Sequence, residues 1–130
     1  VAVRVAAEAE PLPVFADRDR LLQVLGNLLE NAIRVAPEGS DVRVEPLRVE
    51  RNVRVTVRDA GPGFVVEPPE RVFQRFVRGE RGDRKERGSG LGLAIVRSLV
   101  ELHGGTVFAR RLGEVTEVGF ELPLHRAEGG

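Results

Sequence analysis

The sequence has no cysteine, methionine, tryptophan or tyrosine, and its only histidines are His103 and His125. Without cysteine there is neither a disulfide nor a thiolate metal site, and two histidines so far apart do not suggest a zinc centre. Net charge is missing too. Twenty basic and twenty acidic side chains cancel, so no overall field draws the chain to nucleic acid or to a membrane surface. No apolar run approaches the roughly 18 residues that span a bilayer, and Val1 to Arg4 lacks a signal-peptide layout. The chain is therefore expected to be soluble and not membrane-inserted. With no methionine at all, it is expected to be a piece of a longer protein. Lys85 is the only lysine; the remaining basic charge is arginine.

What is present is an ordinary globular composition. A chain of 130 residues with 42% hydrophobic and 31% charged side chains makes one domain, 1–130, with a core of its own. Val1, Val3 and Val5 alternate with small or charged residues, the period of a half-buried strand. Asp17 or Asp19 can cap a helix whose periodicity runs from Leu21 to Val35, before Pro37 and Gly39. On that helix Leu21, Leu25, Leu28 and Ala32 share one side, flanked by Leu22, Leu29 and Ile33, and Gln23, Asn27, Glu30, Asn31 and Arg34 fall on the other. Val42 and Val44, then Val53, Val55 and Val57, predict a hairpin turning near Glu50 to Asn52. A short amphipathic piece is expected over Glu70 to Phe76, and a second helix from the glycines at 88–92 to the stop at Gly104-Gly105. Two more strands, Thr106 to Arg110 and Val115 to Leu122, close the chain. The short turns between strands favour antiparallel pairing.

Four stretches could carry chemistry. Asn27 and Asn31, four residues apart, lie on one helix face about 6 Å apart along the axis. An amide carbonyl is a hard ligand, suited to a magnesium ion carried in by a phosphate; taken alone, such a pair is more often a solvated polar face. Asp59-Ala60-Gly61-Pro62-Gly63 follows a strand and lets a ligand approach the main chain, or is an ordinary turn. Gly88-Ser89-Gly90-Leu91-Gly92-Leu93 runs into an apolar helix, so free amides and a positive helix end face an anion. It is neither a Walker loop, since no Gly-Lys-Ser/Thr follows, nor a Rossmann fingerprint, since a charged loop precedes it. Phe73 and Phe76, three apart, suit a core anchor. A charged run, residues 70–87, includes them and ends at the glycines, with seven basic and four acidic groups. That run is a solvated surface or a basic lid that closes on a triphosphate. His103 reads as a helix-end residue meeting terminal carbonyls.

In order along the chain, these stretches resemble the nucleotide-binding domain shared by gyrase, the ninety-kilodalton heat-shock chaperone, histidine kinases and MutL, the GHKL or Bergerat fold. They look most like the catalytic ATP-binding domain of a two-component sensor histidine kinase. Residues 21–35 resemble the asparagine box, 59–63 the first glycine box, 72–78 the phenylalanine box, about 77–90 the ATP lid and 88–96 the second glycine box. The resemblance implies an α+β fold, a two-layer sandwich of a mixed, mostly antiparallel sheet packed on helices. It implies ATP and Mg2+ as cofactors, with Asn31 the metal ligand, Asn27 supporting metal and phosphates, and Arg34 reaching the phosphates. Asp59 would accept from the adenine amine while Gly61 and Gly63 shape the base pocket. Gly88, Ser89, Gly90, Leu91, Gly92 and Leu93, with Arg78, would hold the phosphates. The chain departs from the pattern at Val35, where an aromatic is common, at Ala60 for asparagine, at Gln74 for glutamate, and at Glu117, where a threonine is frequent.

The gyrase-like members activate water with a glutamate four residues before the metal-binding asparagine. Asn27 stands there and cannot be a base, and a general base contributes about 100-fold to 10,000-fold. The expected acceptor is thus a protein histidine, on a separate dimerisation domain of the same receptor, with a response regulator downstream. Neither His103 nor His125 suits that role, so the chain alone should bind ATP without phosphorylating itself. It is expected to be monomeric and cytoplasmic, belonging to a receptor that is itself membrane-anchored. Three other readings stay open: a serine kinase of the anti-sigma type, a gyrase-like or MutL-like ATPase, and a nucleotide sensor without catalysis.

Overall fold

The computed structural model describes residues 1–6, 11–64, 68–74 and 92–125. Several expectations lie outside the described residues: the lid of 77–90, Arg75 to Arg78 of the phenylalanine box, and Gly88, Ser89, Gly90 and Leu91. So does the net charge of the run containing Lys85.

Helix α1, Arg18–Val35, starts where a carboxylate can cap it: Asp17 Oδ1 accepts from the Arg20 amide at 3.1 Å. Asp19 in its first turn and Arg34 in its last oppose the two ends of the helix dipole. Strand β1 is Ala2–Val5, β2 Asp41–Val49 and β3 Asn52–Asp59. The β2–β3 loop is as short as the valine pattern predicts, with Val49 paired to Asn52 and Glu50 at φ 56°. A 3-10 turn, Pro69–Phe73, precedes helix α2, Gly92–Leu102, and strands β4, Thr106–Leu112, and β5, Val115–Pro123, follow.

The five strands form one sheet in the order β1-β2-β3-β5-β4, with only β1 and β2 parallel. Both helices pack on one face of it, α1 against β2 and β3, α2 against β4 and β5, and against each other. This is the expected two-layer α+β sandwich. Its core joins Val24, Leu28 and Ala32 of α1, Leu93, Val96 and Val100 of α2, Val42, Val57, Ala109, Val118, Phe120 and Leu122 of the sheet, and Val72 and Phe73 of the 3-10 turn. Phe73 is thus the anchor its spacing suggested; Phe76 lies outside the described residues.

Helix α2 ends in a Schellman arrangement. Gly104, at φ +81°, and Gly105 donate to the Glu101 and Val100 carbonyls at 3.0 and 2.9 Å. A side chain at Gly105 would strike the Glu121 carbonyl oxygen. His103 at this end reaches both helices: Nδ1 meets the Leu99 carbonyl at 2.7 Å and Nε2 accepts from the Asp17 amide at 3.1 Å. One imidazole joins the C-terminus of α2 to the cap of α1, which goes beyond the expected helix-end role.

Two expectations change. Strand β1 forms where predicted but is exposed along its whole length rather than half-buried, because it stands at the sheet edge with β2 as its one neighbouring strand in the described sheet. The inward arc of α1 is also rotated. Val24, Leu28, Asn31 and Ala32 are buried, with Asn31 only 5% exposed, while Leu22 and Ile33 turn to solvent. The apolar residues cover about half of the wheel, and Asn31 borders that half about 20° round from Val24; packing against both α2 and the sheet turns the covered arc toward this border.

Candidate functional site

Helix α1 carries two amides one turn apart, Asn27 half-buried and Asn31 buried. Asn27 Nδ2 donates to the Gly92 carbonyl at 3.1 Å, fastening α1 to the first residue of α2 and leaving the Oδ1 carbonyl as the group it can offer a ligand. Asn31, one turn on, lies on the packed face of the helix, where a purely solvated asparagine would not be found. Arg34 and Val35 are half-buried in the last turn. Leu93 is in the core through its side chain, so only its backbone can serve a ligand, whereas Gly92 is exposed with open space where a Cβ would be.

Strand β3 delivers Asp59 to the same end of the molecule. Asp59 is buried, and its Oδ1 accepts from the Gly61 amide at 2.8 Å, closing a turn of its own. Gly61 has no room for a side chain: a Cβ would lie 2.8 Å from Asp59 Oδ1 and 3.1 Å from both the Cγ2 and the carbonyl oxygen of Val35. The end of α1 and the glycine loop thus meet at Val35 and Gly61. Gly63, at φ +91°, needs glycine for its backbone as well.

Two residues not singled out from the sequence complete the site. Thr116 is the register partner of Asp59 and is fully buried. Arg111, across the β4–β5 hairpin from Thr116, donates through Nη1 to the Gly61 carbonyl at 2.6 Å and to Thr116 Oγ1 at 2.7 Å, and through Nε to the Gly113 carbonyl at 3.1 Å. No sequence signal marks it, since the loop it holds is 50 residues away.

The family described as histidine kinase-, DNA gyrase B-, and HSP90-like ATPase matches residues 16–126. The chain belongs to that family. Among curated relatives, it is 39% identical over 120 residues to the signal transduction histidine-protein kinase BaeS of Escherichia coli, covering 90% of this chain but 26% of BaeS. The chain therefore spans about a quarter of that relative. Among solved structures, the mycobacterial sensor histidine kinase MprB superposes with a TM-score of 0.82 at 30% identity, over 97% of this chain and 84% of that one. The histidine kinase ThkA, solved in complex with the response regulator protein TrrA, gives a TM-score of 0.77 at 31% identity, over 95% of this chain and 34% of that one.

Within this ATPase-family frame, the fold brings the end of α1, the loop of 59–63 and the start of α2 to one place. Glu117 has a separate role. Strand alternation turns it to the sheet face away from the helices, where it is 1% exposed between Arg58 Nε and Arg110 Nε, each 2.5 Å away. The hydroxyl on the helix-covered face, beside Asp59, is that of Thr116, one residue earlier. Among the described residues no group of three or more histidine, cysteine, aspartate or glutamate side chains could hold a metal ion. The donors at this site are neutral amides, which suit a hard cation already carrying phosphate oxygens and do not make a cage of their own.

Proposed function

We propose that the chain binds magnesium ATP between α1, the loop of 59–63 and the start of α2, and donates the γ-phosphoryl group to a histidine on a separate dimerisation domain of a sensor histidine kinase. The observation that carries this reading is the pairing of a closed, glycine-lined floor at Asp59 and Gly61 with two asparagines one turn apart on the helix above, whose Glu30 is exposed to solvent. Asp59 Oδ1 is taken by the Gly61 amide, and Oδ2 is the acceptor for the exocyclic amine of adenine. A Cβ at 61 would fill part of this floor. Asn31 holds the magnesium through its amide oxygen, Asn27 supports metal and phosphates, and Arg34 stabilises phosphate charge. Magnesium, when bound, neutralises the phosphate oxygens.

Asn27 has two consequences for the acceptor. An amide cannot take a proton from water, and its NH2 group is engaged with Gly92, so position 27 serves structure and binding rather than base catalysis. Phosphoryl transfer then waits for a nucleophile presented by another domain. Sensor kinases among the relatives, and the ThkA complex with its response regulator, support an onward transfer to a regulator aspartate. An asparagine box at 21–35, glycine boxes at 59–63 and 88–96, a phenylalanine box at 72–78 and a lid at about 77–90 are part of the same proposal, and so is a cytoplasmic place beneath a membrane-anchored receptor. No helix among the described residues is long and apolar enough to cross a membrane.

Titration of a fluorescent ATP analogue with and without magnesium tests the site. Magnesium is expected to strengthen binding to the unaltered chain, and Asn31→Ala to remove most of that gain. A magnesium gain unchanged in Asn31→Ala would sink the assignment.

A further inference from the structure

The structure points to a positioning residue outside the four boxes: we infer that Arg111 fixes the base-recognising loop and thereby sets the preference for a purine bearing a 6-amine. The inference rests on the reading of Asp59 as the base acceptor and adds a residue to it.

Gly61 is held through both of its backbone groups. Its N–H is bonded to Asp59 Oδ1 at 2.8 Å and its carbonyl accepts from Arg111 Nη1 at 2.6 Å. Both bonds bear on the geometry of one carboxylate, because the peptide that Asp59 grips moves with the carbonyl that Arg111 grips. The guanidinium is itself immobilised by Thr116 Oγ1 and the Gly113 carbonyl, so its planar fork ties the loop to β5 and to the hairpin turn at once. It also lies along the loop at Gly63, where a Cβ would sit 3.2 to 3.4 Å from its Nη1, Cδ and Cζ. Three acceptors on one exposed arginine are more than surface solubility calls for: one is on the loop, one on the strand beside it and one on the hairpin turn that follows the arginine.

With the loop fixed, Asp59 Oδ2 is presented in one orientation before any ligand arrives, and a base with an amine at its 6 position gains from that order while a 6-oxo base does not. Removing the guanidinium lets the carboxylate and the Gly61 peptide move together, so the loss falls on amine recognition. Loss of one well-oriented hydrogen bond to a charged acceptor is worth about tenfold in affinity.

The test is competition by ATP and by inosine triphosphate, its 6-oxo counterpart, on the chain and on Arg111→Met, Arg111→Lys and Asp59→Asn. ATP is expected to be preferred by the unaltered chain. Arg111→Met should weaken ATP by about tenfold with little change for inosine triphosphate, and Arg111→Lys should fall between, since an ammonium reaches fewer of the three acceptors. Urea unfolding of each variant separates a merely structural effect, which would lower both affinities together. Should Arg111→Met fail to fold, the intermediate ratio in Arg111→Lys carries the test. A preference lost in Asp59→Asn but intact in the Arg111 variants overturns the role of Arg111 alone. A preference absent from the unaltered chain, or intact in Asp59→Asn, overturns the underlying site reading and this inference with it.

Discussion

Gly61→Ala concentrates the pocket geometry in a single methyl group. The added Cβ would stand 2.8 Å from Asp59 Oδ1 and 3.1 Å from two atoms of Val35, one of them backbone. The carboxylate cannot simply step aside, because Oδ1 is the partner of the Gly61 amide. Overpacking of this kind costs about 1–3 kcal/mol, and the disturbed Asp59–Gly61 bond about another 0.5–1.5 kcal/mol. A loss of about 1.5–4.5 kcal/mol from a domain stability of about 5–15 kcal/mol leaves the chain folded but measurably weakened. Gly26→Ala is the control: it lies inside α1 with no atom within 4 Å of an added Cβ, and it should stabilise by about 0.5–1 kcal/mol through helix propensity. Urea unfolding reads both stabilities, and titration of the fluorescent ATP analogue reads the site. Gly61→Ala should weaken nucleotide binding by at least about tenfold, and Gly26→Ala should leave it unchanged. A Gly61→Ala chain as stable and as tightly binding as the original would refute the packing described at Val35 and Asp59.

Other expectations follow from contacts away from the pocket. His103→Ala removes the imidazole that bridges Leu99 and the Asp17 cap, and urea unfolding should register a loss of about 1–2 kcal/mol with nucleotide affinity retained. Glu117→Gln weakens both arginine contacts on the outer sheet face and should cost about 1–3 kcal/mol in the same assay, again without a change in affinity. Gly119→Ala would strike the Val55 carbonyl and place a methyl 2.7 Å from Phe108 Cζ; circular dichroism should find it among the least stable single variants.

The strands and both helices were legible because period-two valines, the Asp17 cap and the Gly104-Gly105 stop are local signals, and each reports on its own neighbours. What failed needed the third dimension. Strand β1 has the alternation of a half-buried strand, but its exposure depends on its place at the sheet edge, and nothing in five residues encodes that place. Asn31 falls at the edge of the polar half of α1, about 20° round from Val24, and only the positions of α2 and the sheet decide that the covered arc reaches it. At the proposed site, the asparagines, Asp59 and the glycines stand out by spacing and by family resemblance. Arg111 and Thr116 do not, since their role arises from the register that sets β5 beside β3 and folds the hairpin back on the loop. Glu117 shows the same limit: a one-residue difference along β5 moves a side chain from the pocket face to the opposite one.

Asn27 is the residue on which the central claim turns, because it separates transfer to a protein histidine from transfer to water. The direct measurement follows the γ-phosphate of labelled ATP in a chimaera of BaeS in which this chain replaces the 120 residues it matches. Acid-labile label on a histidine outside the grafted chain, lost when Asn31→Ala is introduced, is the expected result. Rapid release of free phosphate with the protein left unlabelled would contradict it.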